Sequence, residues 1–457
     1  MNILMFTNTF TPHVGGVARS VSQFAEMYRE RGHLVLVVAP LFENCPPDET
    51  DVFRIPAIQR FNGTDFSVPM PVPGLLSEAI EQFVPHIVHS HHPFLLGDTA
   101  LRVSAQYDVP IVFTHHTQYE QYTHYVPGDS ELMKRFVVDL AVGYCNLCDA
   151  VIAPSETIRR RLIEQGVMSE VVEIPTGVDL RLFGTGDGIR WRRRHQIASD
   201  AFVIGHVGRL APEKGLAFLA AVVADFVATT DNCLFVVAGS GPSLETIESC
   251  FDRRGIADRL LHLGILDRPE LADLYTALDL FAFASLSETQ GMVLTEAMAG
   301  GTPVVAVDAP GVREVVLDGV NGRLLTKQDH DQFLRALRWY RELSNEEQQE
   351  FRVAARATAD EFALPRTAER ALELYADLIH RGRIGLHGHD MWSNARRRLE
   401  SEWRIWSNIA SAAATALLGE TSDEDPDGAG KESPDTEAET ASDRGRVSEQ
   451  PGRREES

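Results

Sequence analysis

Twice along this chain, a short apolar run leads into a glycine-containing loop and then into a helix with apolar residues on one face. The first copy covers residues 3–28 and the second covers residues 202–228. Apolar runs of this length are typical of buried strands, and their alternation with helices is typical of parallel sheets covered on both faces. The sequence therefore predicts an α/β protein with two doubly wound, Rossmann-like domains.

One loop and helix in the second half combine two acids with a glycine. This segment, residues 287–306, reads SETQGMVLTEAMAGGTPVVA, and it predicts a helix that begins just after Gly291. In open α/β sheets, ligands bind at the carboxyl ends of the strands. Glu288 on the loop and Glu296 on the helix would reach different parts of one elongated ligand, and a carboxylate is a natural partner for ribose hydroxyls. The segment predicts a nucleotide-sugar site.

Backbone N–H groups and two cations would bind a diphosphate. The N–H groups around Gln290, Gly291 and Met292 lie at a predicted helix start, which suits phosphate oxygens. Arg209 and Lys214 belong to VGRLAPEKG, which follows the first strand of the second half. Their charges are placed to neutralise a diphosphate leaving group. The alternative for this segment is a surface turn closed by a salt bridge.

Two glycines follow the first strand of the first half. Gly15 and Gly16 lie at a helix start, where the missing Cβ atoms let the backbone approach a phosphate or a sugar closely. Glycine pairs in strand-to-helix turns are also common for structural reasons alone. The position of these glycines favours a loop that faces a ligand, but a purely structural role stays open.

Together these motifs resemble a known enzyme family. Two acids separated by seven residues, the sequence AMAGGTPVVA after them and the GR…EKG segment are similar to retaining nucleotide-sugar glycosyltransferases of the GT-B fold, in glycosyltransferase family 4. The resemblance covers about residues 1–380. It implies two domains facing a central cleft and transfer of a hexose from a nucleotide-diphosphate sugar, such as UDP-glucose or another UDP- or GDP-hexose. It implies no required cofactor and no bound metal.

The resemblance also assigns roles to single residues. Arg209 and Lys214 would hold the diphosphate, Glu296 the ribose and Glu288 the sugar or the adjoining phosphate. The nucleobase would lie against the backbone near Gly264. The expected catalytic residues are His116, Glu288, Arg209 and Lys214. The expected donor-binding residues are Gly15, Gly16, Arg209, Lys214, Gly264, Leu266, Glu288, Gln290, Gly291, Met292 and Glu296.

Histidines are concentrated in the first half, after two predicted strands. They are His89, His91, His92, His115 and His116. A metal site is imaginable because His89 and His91 share one face of an extended segment. No glutamate or cysteine is spaced to complete it, so we expect no metal. In the resemblance, His116 of THHTQ contacts the donor near the reacting sugar, with His115 as the alternative.

The segment THHTQYEQYTHYVP, residues 114–127, offers an acceptor surface. We expect Tyr119, Tyr122 and Tyr125 to line it at the cleft edge. The segment resembles that of diacylglycerol α-glucosyltransferases and related glycolipid synthases, which implies a lipid acceptor at a membrane surface. The alternative is an aromatic helix packed on its own domain.

Charge and composition restrict the partners and the compartment. The net charge of −23 opposes nucleic-acid binding. The chain has only four lysines, and arginine supplies the other cationic side chains. This composition is typical of a salt-adapted, halophilic proteome. Five scattered cysteines and the lack of a signal-like start favour the cytoplasm. No apolar stretch approaches the roughly 20 residues of a membrane span, so any membrane contact would be peripheral, on the inner face.

These patterns divide the chain into successive parts. They predict an acceptor-side domain (1–180), a hinge (181–200), a donor domain (201–360), a helix crossing back to the first domain (361–380), a basic tryptophan-containing helical extension (381–418) and an acidic disordered tail (419–457). Tryptophan with arginine suits a lipid interface. Packing of the extension on the body through its tryptophans is the alternative.

Other functions remain open at this stage. The same fold could act on a soluble sugar or polysaccharide, serve as a non-catalytic sugar-nucleotide-binding scaffold, or epimerise a sugar nucleotide.

Overall fold

The computed structural model describes residues 1–13, 15–58, 68–69, 76–118, 131–385 and 391–418. The predicted acceptor tyrosines Tyr119, Tyr122 and Tyr125 lie outside the described residues, as does the tail 419–457.

The first domain is built on a parallel sheet of seven strands. In chain order these are β1 (Asn2–Phe6), β2 (Leu34–Pro40), β3 (Val52–Ile55), β6 (Ile87–Ser90), β7 (Ile111–Thr114), β8 (Ala150–Ala153) and β9 (Glu170–Glu173). A short antiparallel pair, β4 (Ala57–Ile58) and β5 (Val68–Pro69), lies outside this sheet. The spatial order is β3-β2-β1-β6-β7-β8-β9. The helices of this domain are α1 (Gly16–Glu30), α2 (Ser77–Phe83), α3 (Leu96–Tyr107), α4 (Glu131–Cys145) and α5 (Glu156–Glu164).

The second domain has a parallel sheet of six strands. They are β10 (Phe202–Val207), β11 (Cys233–Ala238), β12 (Leu260–His262), β13 (Leu280–Phe283), β14 (Val304–Val307) and β15 (Gly322–Leu325). Their spatial order is β12-β11-β10-β13-β14-β15, which is the order of dinucleotide-binding folds. The helices are α6 (Leu180–Phe183), α7 (Gly188–Arg194), α8 (Leu216–Ala228), α9 (Leu244–Asp252), α10 (Arg268–Ala277), α11 (Met292–Ala299), α12 (His330–Glu342) and α13 (Asn345–Glu361).

Burial on both faces explains why these strands are apolar throughout. Every residue of β13 and of β14 is buried, because helices cover both sides of the sheet. Each domain accordingly has two apolar cores, one on each face of its sheet. The predicted α/β class with two Rossmann-like sheets is confirmed.

Residues 181–200, predicted as the hinge, contain helices α6 and α7. Trp191 on α7 is 4% exposed and lies in a core of the second domain. Arg190 pairs with Asp273 at 2.6 Å, and Arg192 pairs with Asp279 at 2.8 Å. Arg190 and Arg192 therefore hold α7 against the second domain.

Two helices follow the second domain. Helix α14 (Leu364–Gly385) packs against α1, where the Tyr375 hydroxyl lies 3.3 Å from that of Tyr28. Helix α15 (Met391–Leu418) packs near α3 and α4 of the first domain, with Arg102 and Glu402 paired at 2.5 Å. None of the helices in the described ranges is long and apolar enough to span a membrane.

Candidate active site

The strand order places four loops at the cleft. In each sheet the order reverses beside the first strand, between β1 and β6 and between β10 and β13. Open α/β sheets bind ligands in the crevice at this point, outside the carboxyl ends of the strands. The loops that follow these four strands contain His91, His92 and most of the predicted donor-binding residues, and His115 and His116 follow the adjacent strand β7.

Lys214 and Glu288 form an ion pair in the second domain. The Lys214 Nζ lies 2.7 Å from Glu288 Oε1, and the two side chains are only 17% and 15% exposed. Burial raises the pKa of Glu288, but the charge and hydrogen bond of Lys214 outweigh it, so the pKa is below its usual value. The loops after β10 and β13 are thereby joined, with a cation and a carboxylate together at the predicted phosphate position.

Gly291 begins helix α11 in a conformation that favours glycine. Its φ is +72°, and an added Cβ would lie 2.9 Å from Leu294 Cδ1. The first-turn N–H groups of a helix lack intrahelical partners, so the start of α11 offers donors to an anion. Donor binding by Gly291 and Met292 stays a prediction, with which this geometry is compatible.

The loop between β13 and α11 also contacts the first domain. The side chain of Gln290 accepts from the Thr176 N–H at 2.5 Å and donates to the Thr176 carbonyl at 2.6 Å. Thr289 Oγ1 donates to the carbonyl of His116 at 3.0 Å, and Gln118 donates to the carbonyl of Glu288 at 2.9 Å. Both polar atoms of the Gln290 side chain are therefore engaged by Thr176.

Glu296 is almost completely buried, with two partners. It is 1% exposed; Arg19 Nη1 of α1 lies 2.6 Å from Oε1, and Tyr275 Oη donates to Oε2 at 3.0 Å. Arg19 comes from the first domain, so this pair crosses the cleft.

The histidines form one group, in which His89, His91, His92 and His115 are buried and His116 is partly buried. His91 Nδ1 lies 2.9 Å from His116 Nε2, and His89 Nε2 lies 2.7 Å from Thr114 Oγ1. The Tyr375 hydroxyl on α14 is 2.6 Å from His89 Nδ1. Burial, with the neighbouring histidines, holds the pKa of His91 and of His116 well below its ordinary value, so both are neutral at pH 7.

No trio of histidine, cysteine or acidic residues in the described ranges is arranged to hold a metal ion.

The remaining predicted residues surround this arrangement. Arg209 pairs with Glu213. Gly15 has an extended backbone with φ −170°, and a Cβ at Gly16 would meet nothing within 4 Å. Gly264 has φ +67° and accepts from the Gly239 N–H at 2.6 Å, and Leu266 packs on the second-domain core.

Sequence reasoning missed several residues of the cleft. They are Arg19, His91 as the partner of His116, Gln118, Thr176 and Tyr275. Arg19 could have been selected from the sequence, because it lies one helical turn beyond the Gly15–Gly16 pair. The others had none, because each depends on an approach of distant segments.

The chain matches two family models. Residues 14–182 match the model described as Glycosyltransferase Family 4, and residues 187–358 match that of Glycosyl transferases group 1. The chain belongs to glycosyltransferase family 4. The predicted identification with this family, and with its glycosyltransferase activity, is confirmed.

Individual relatives agree with this membership. This family 4 glycosyltransferase is 29% identical over 331 residues to alpha-monoglucosyldiacylglycerol synthase of Streptococcus pneumoniae, covering 71% of this chain and 75% of the relative. It is 31% identical to D-inositol 3-phosphate glycosyltransferase of Stackebrandtia nassauensis, covering 65% and 69%. The solved structure of Anabaena Alr3699/HepE in complex with UDP and glucose superposes with a TM-score of 0.63 at 23% identity, covering 82% of this chain and 99% of that one. The structural likeness supports the GT-B fold.

Proposed function

We propose that this glycosyltransferase transfers a hexose, with retention of anomeric configuration, from a nucleotide-diphosphate sugar to a hydroxyl of a membrane lipid. The observation that carries the proposal is the Lys214–Glu288 pair at the carboxyl end of one sheet. This pair lies on loops that also hydrogen-bond to the His116 segment of the other sheet. Donor charge and sugar would thus be bound between the two domains.

Arg209 and Lys214 would stabilise the charge that develops on the departing diphosphate. Backbone N–H groups at the start of α11 add fixed dipoles in the same place. Preorganised electrostatic stabilisation of this kind is commonly the largest catalytic contribution. A leaving-group oxygen would take the acceptor proton, so no protein nucleophile is assigned.

A neutral His116 fits contact with the reacting sugar. Positive charge develops at the anomeric carbon as the leaving group departs, and a protonated imidazole there would oppose it. Because burial holds the pKa of His116 well below its ordinary value, the ring stays neutral and can orient the sugar. His91, 2.9 Å away, would fix the orientation of His116.

A lipid acceptor is supported by the surface of α15. Ile405 and Ala412 are buried, whereas Leu399, Trp403 and Trp406 are exposed by 72%, 75% and 63%. Trp403 and Trp406 therefore do not pack the helix on the body, which was the alternative. Exposed tryptophan on a helix that also contains arginine suits a membrane interface. The name of the pneumococcal relative, alpha-monoglucosyldiacylglycerol synthase, agrees with this assignment. We place the enzyme in the cytoplasm, in peripheral contact with the membrane.

The direct test supplies candidate donors to the purified protein. Radiolabelled UDP-glucose, UDP-galactose and GDP-mannose are incubated with protein and membrane lipid extract, and label is followed into the organic phase. We expect one donor to label lipid. Lys214→Met should lower the rate by about a hundredfold or more, because it removes a cation from the leaving group. Lys327→Met is the matched control. The Lys327 side chain is 69% exposed, and its ion pair with Asp329 is long, at 3.8 Å.

Two results would contradict parts of the proposal. Label that stays aqueous while nucleoside diphosphate is released would exclude the lipid acceptor and favour a soluble one. Equal losses in Lys214→Met and Lys327→Met would exclude the assigned leaving-group site.

A further inference from the structure

The carboxylate expected to hold the donor ribose is already occupied. Arg19 lies 2.6 Å from one oxygen of Glu296, and Tyr275 donates to the other at 3.0 Å. Glu296 is 1% exposed and Tyr275 is fully buried. Each oxygen keeps a further lone pair, but at 1% exposure Glu296 offers a ribose hydroxyl no path to it unless one of these neighbours moves.

Arg19 is the neighbour that can move. Its side chain is 24% exposed, whereas Tyr275 lies in the core of the second domain. Arginine also has several rotatable bonds, so its guanidinium can leave while the helix stays in place. Arg19 belongs to the first turn of α1, with its N–H bonded to the Gly15 carbonyl at 3.0 Å. Its departure would open Glu296 from the side of the first domain.

Resting on the proposed function, we infer that Arg19 competes with the donor ribose for Glu296. The guanidinium leaves the carboxylate when the donor binds and returns to it when the nucleoside diphosphate product departs. In the free enzyme, Arg19 keeps the buried charge of Glu296 paired, which avoids the cost of leaving it alone. After transfer, the returning arginine displaces the product ribose and speeds product release. Arg19 is thus a positioning residue, which acts through Glu296.

Competition sets the direction of the effect on nucleotide affinity. Without Arg19, ribose no longer has to break an ion pair before it binds Glu296. Arg19→Met should therefore bind the nucleoside diphosphate about three- to tenfold more tightly, as expected for removal of one partly exposed pair. Inhibition by the nucleoside diphosphate product should strengthen by the same factor.

The test measures dissociation constants by calorimetry for UDP and GDP. The matched control is Arg29→Met, on the same helix α1, whose arginine instead lies 3.5 Å from Asp51. It should leave the affinity unchanged. Arg19→Lys, which keeps the charge, should remain close to the original protein. The 2′,3′-dideoxy form of the nucleotide has no ribose hydroxyls for Glu296, so Arg19→Met should not improve its binding.

The outcomes separate the inference from the proposed function. Weaker or unchanged nucleotide binding in Arg19→Met, with an unchanged melting temperature, would overturn the competition. An equal gain for the dideoxy nucleotide would also overturn it, because the effect would then be independent of the ribose. Failure of the original protein to bind either nucleotide would instead contradict the proposed function, and this inference with it.

Discussion

Gly16 and Gly291 both lie at the start of a helix that faces the cleft, but the protein itself needs glycine only at the second position. At Gly291 the backbone has φ +72°, and a Cβ would press on Leu294. At Gly16 a Cβ would meet nothing within 4 Å. Space that no protein atom fills beside a predicted phosphate loop is space that a ligand can use.

We expect Gly16→Ala to weaken donor binding without destabilising the fold. Alanine at a helical position with room for its Cβ is neutral or stabilising, since alanine favours helices over glycine by about 0.5–1 kcal/mol. The added methyl would nevertheless oppose close approach of the donor, and KM for the donor should rise severalfold. Steady-state kinetics and thermal unfolding on the same preparation check both statements.

Gly291→Ala is the contrasting variant. It should lose about 1–3 kcal/mol of stability, because alanine at positive φ is strained. A Gly16→Ala protein with a lower melting temperature and an unchanged KM would contradict the assignment of Gly16 to the donor site.

At the scale of elements, the loop between β13 and α11 links the two domains. Three of its groups hydrogen-bond to residues of the first domain: the side chains of Thr289 and Gln290 and the carbonyl of Glu288. Glu314 adds a further link, since its carboxylate accepts from the N–H groups of Glu156 and Thr157 at the start of α5. A carboxylate at a helix N-terminus is stabilised by the free N–H groups there. The loop between β13 and α11, together with Glu314, therefore ties the second domain to the first.

Helix α15 gives the prediction that belongs to this scale. Replacing Trp403 and Trp406 together by serine should weaken binding to vesicles that contain anionic lipid by at least about tenfold, because two large apolar surfaces no longer enter the interface. Flotation of protein with vesicles measures the effect. The control is Met168→Ser, which removes an apolar side chain that is 86% exposed elsewhere on the first domain.

Two observations would contradict this role of α15. One is unchanged flotation in the double variant. The other is a double variant whose oligomeric state changes while its vesicle binding does not, which would assign the exposed face to a second copy of the chain.

At the scale of the whole molecule, buried neutral histidines make stability depend on pH. Burial lowers the pKa of His89 and of His92 to about 3, and that of His115 and of His206 to about 4. His91 and His116 are also held well below the ordinary value. In the unfolded chain each would bind a proton near pH 6.5. Acid therefore favours the unfolded state, and the stabilisation is complete only above that pH.

We expect the free energy of unfolding to change little above pH 7 and to fall steeply between about pH 6.5 and 5. Each fully depressed histidine contributes a slope of about 1.4 kcal/mol per pH unit once the unfolded form is protonated. Urea unfolding at a series of pH values measures the slope. His92→Asn, which keeps an acceptor for the Asn8 N–H, should reduce it. A flat profile through pH 5.5 would contradict neutral burial of the group.

The sequence alone determined the fold class and the family, and it selected the candidate residues of the donor domain. The repeated order of apolar run, glycine loop and helix predicted the two sheets, but it did not predict the β4–β5 pair. Lys214, Glu288 and Glu296 could be selected because their chemistry is encoded within short, local motifs.

Only the tertiary structure decided which side chains meet. Arg19 and Glu296 are 277 residues apart, and His91 reaches His116 across two neighbouring strands. The exposure of Trp403 and Trp406 likewise follows from the face that α15 presents to α3 and α4. Local patterns report which face of an element is apolar, but a pairing across a cleft depends on how two separately folded sheets approach each other.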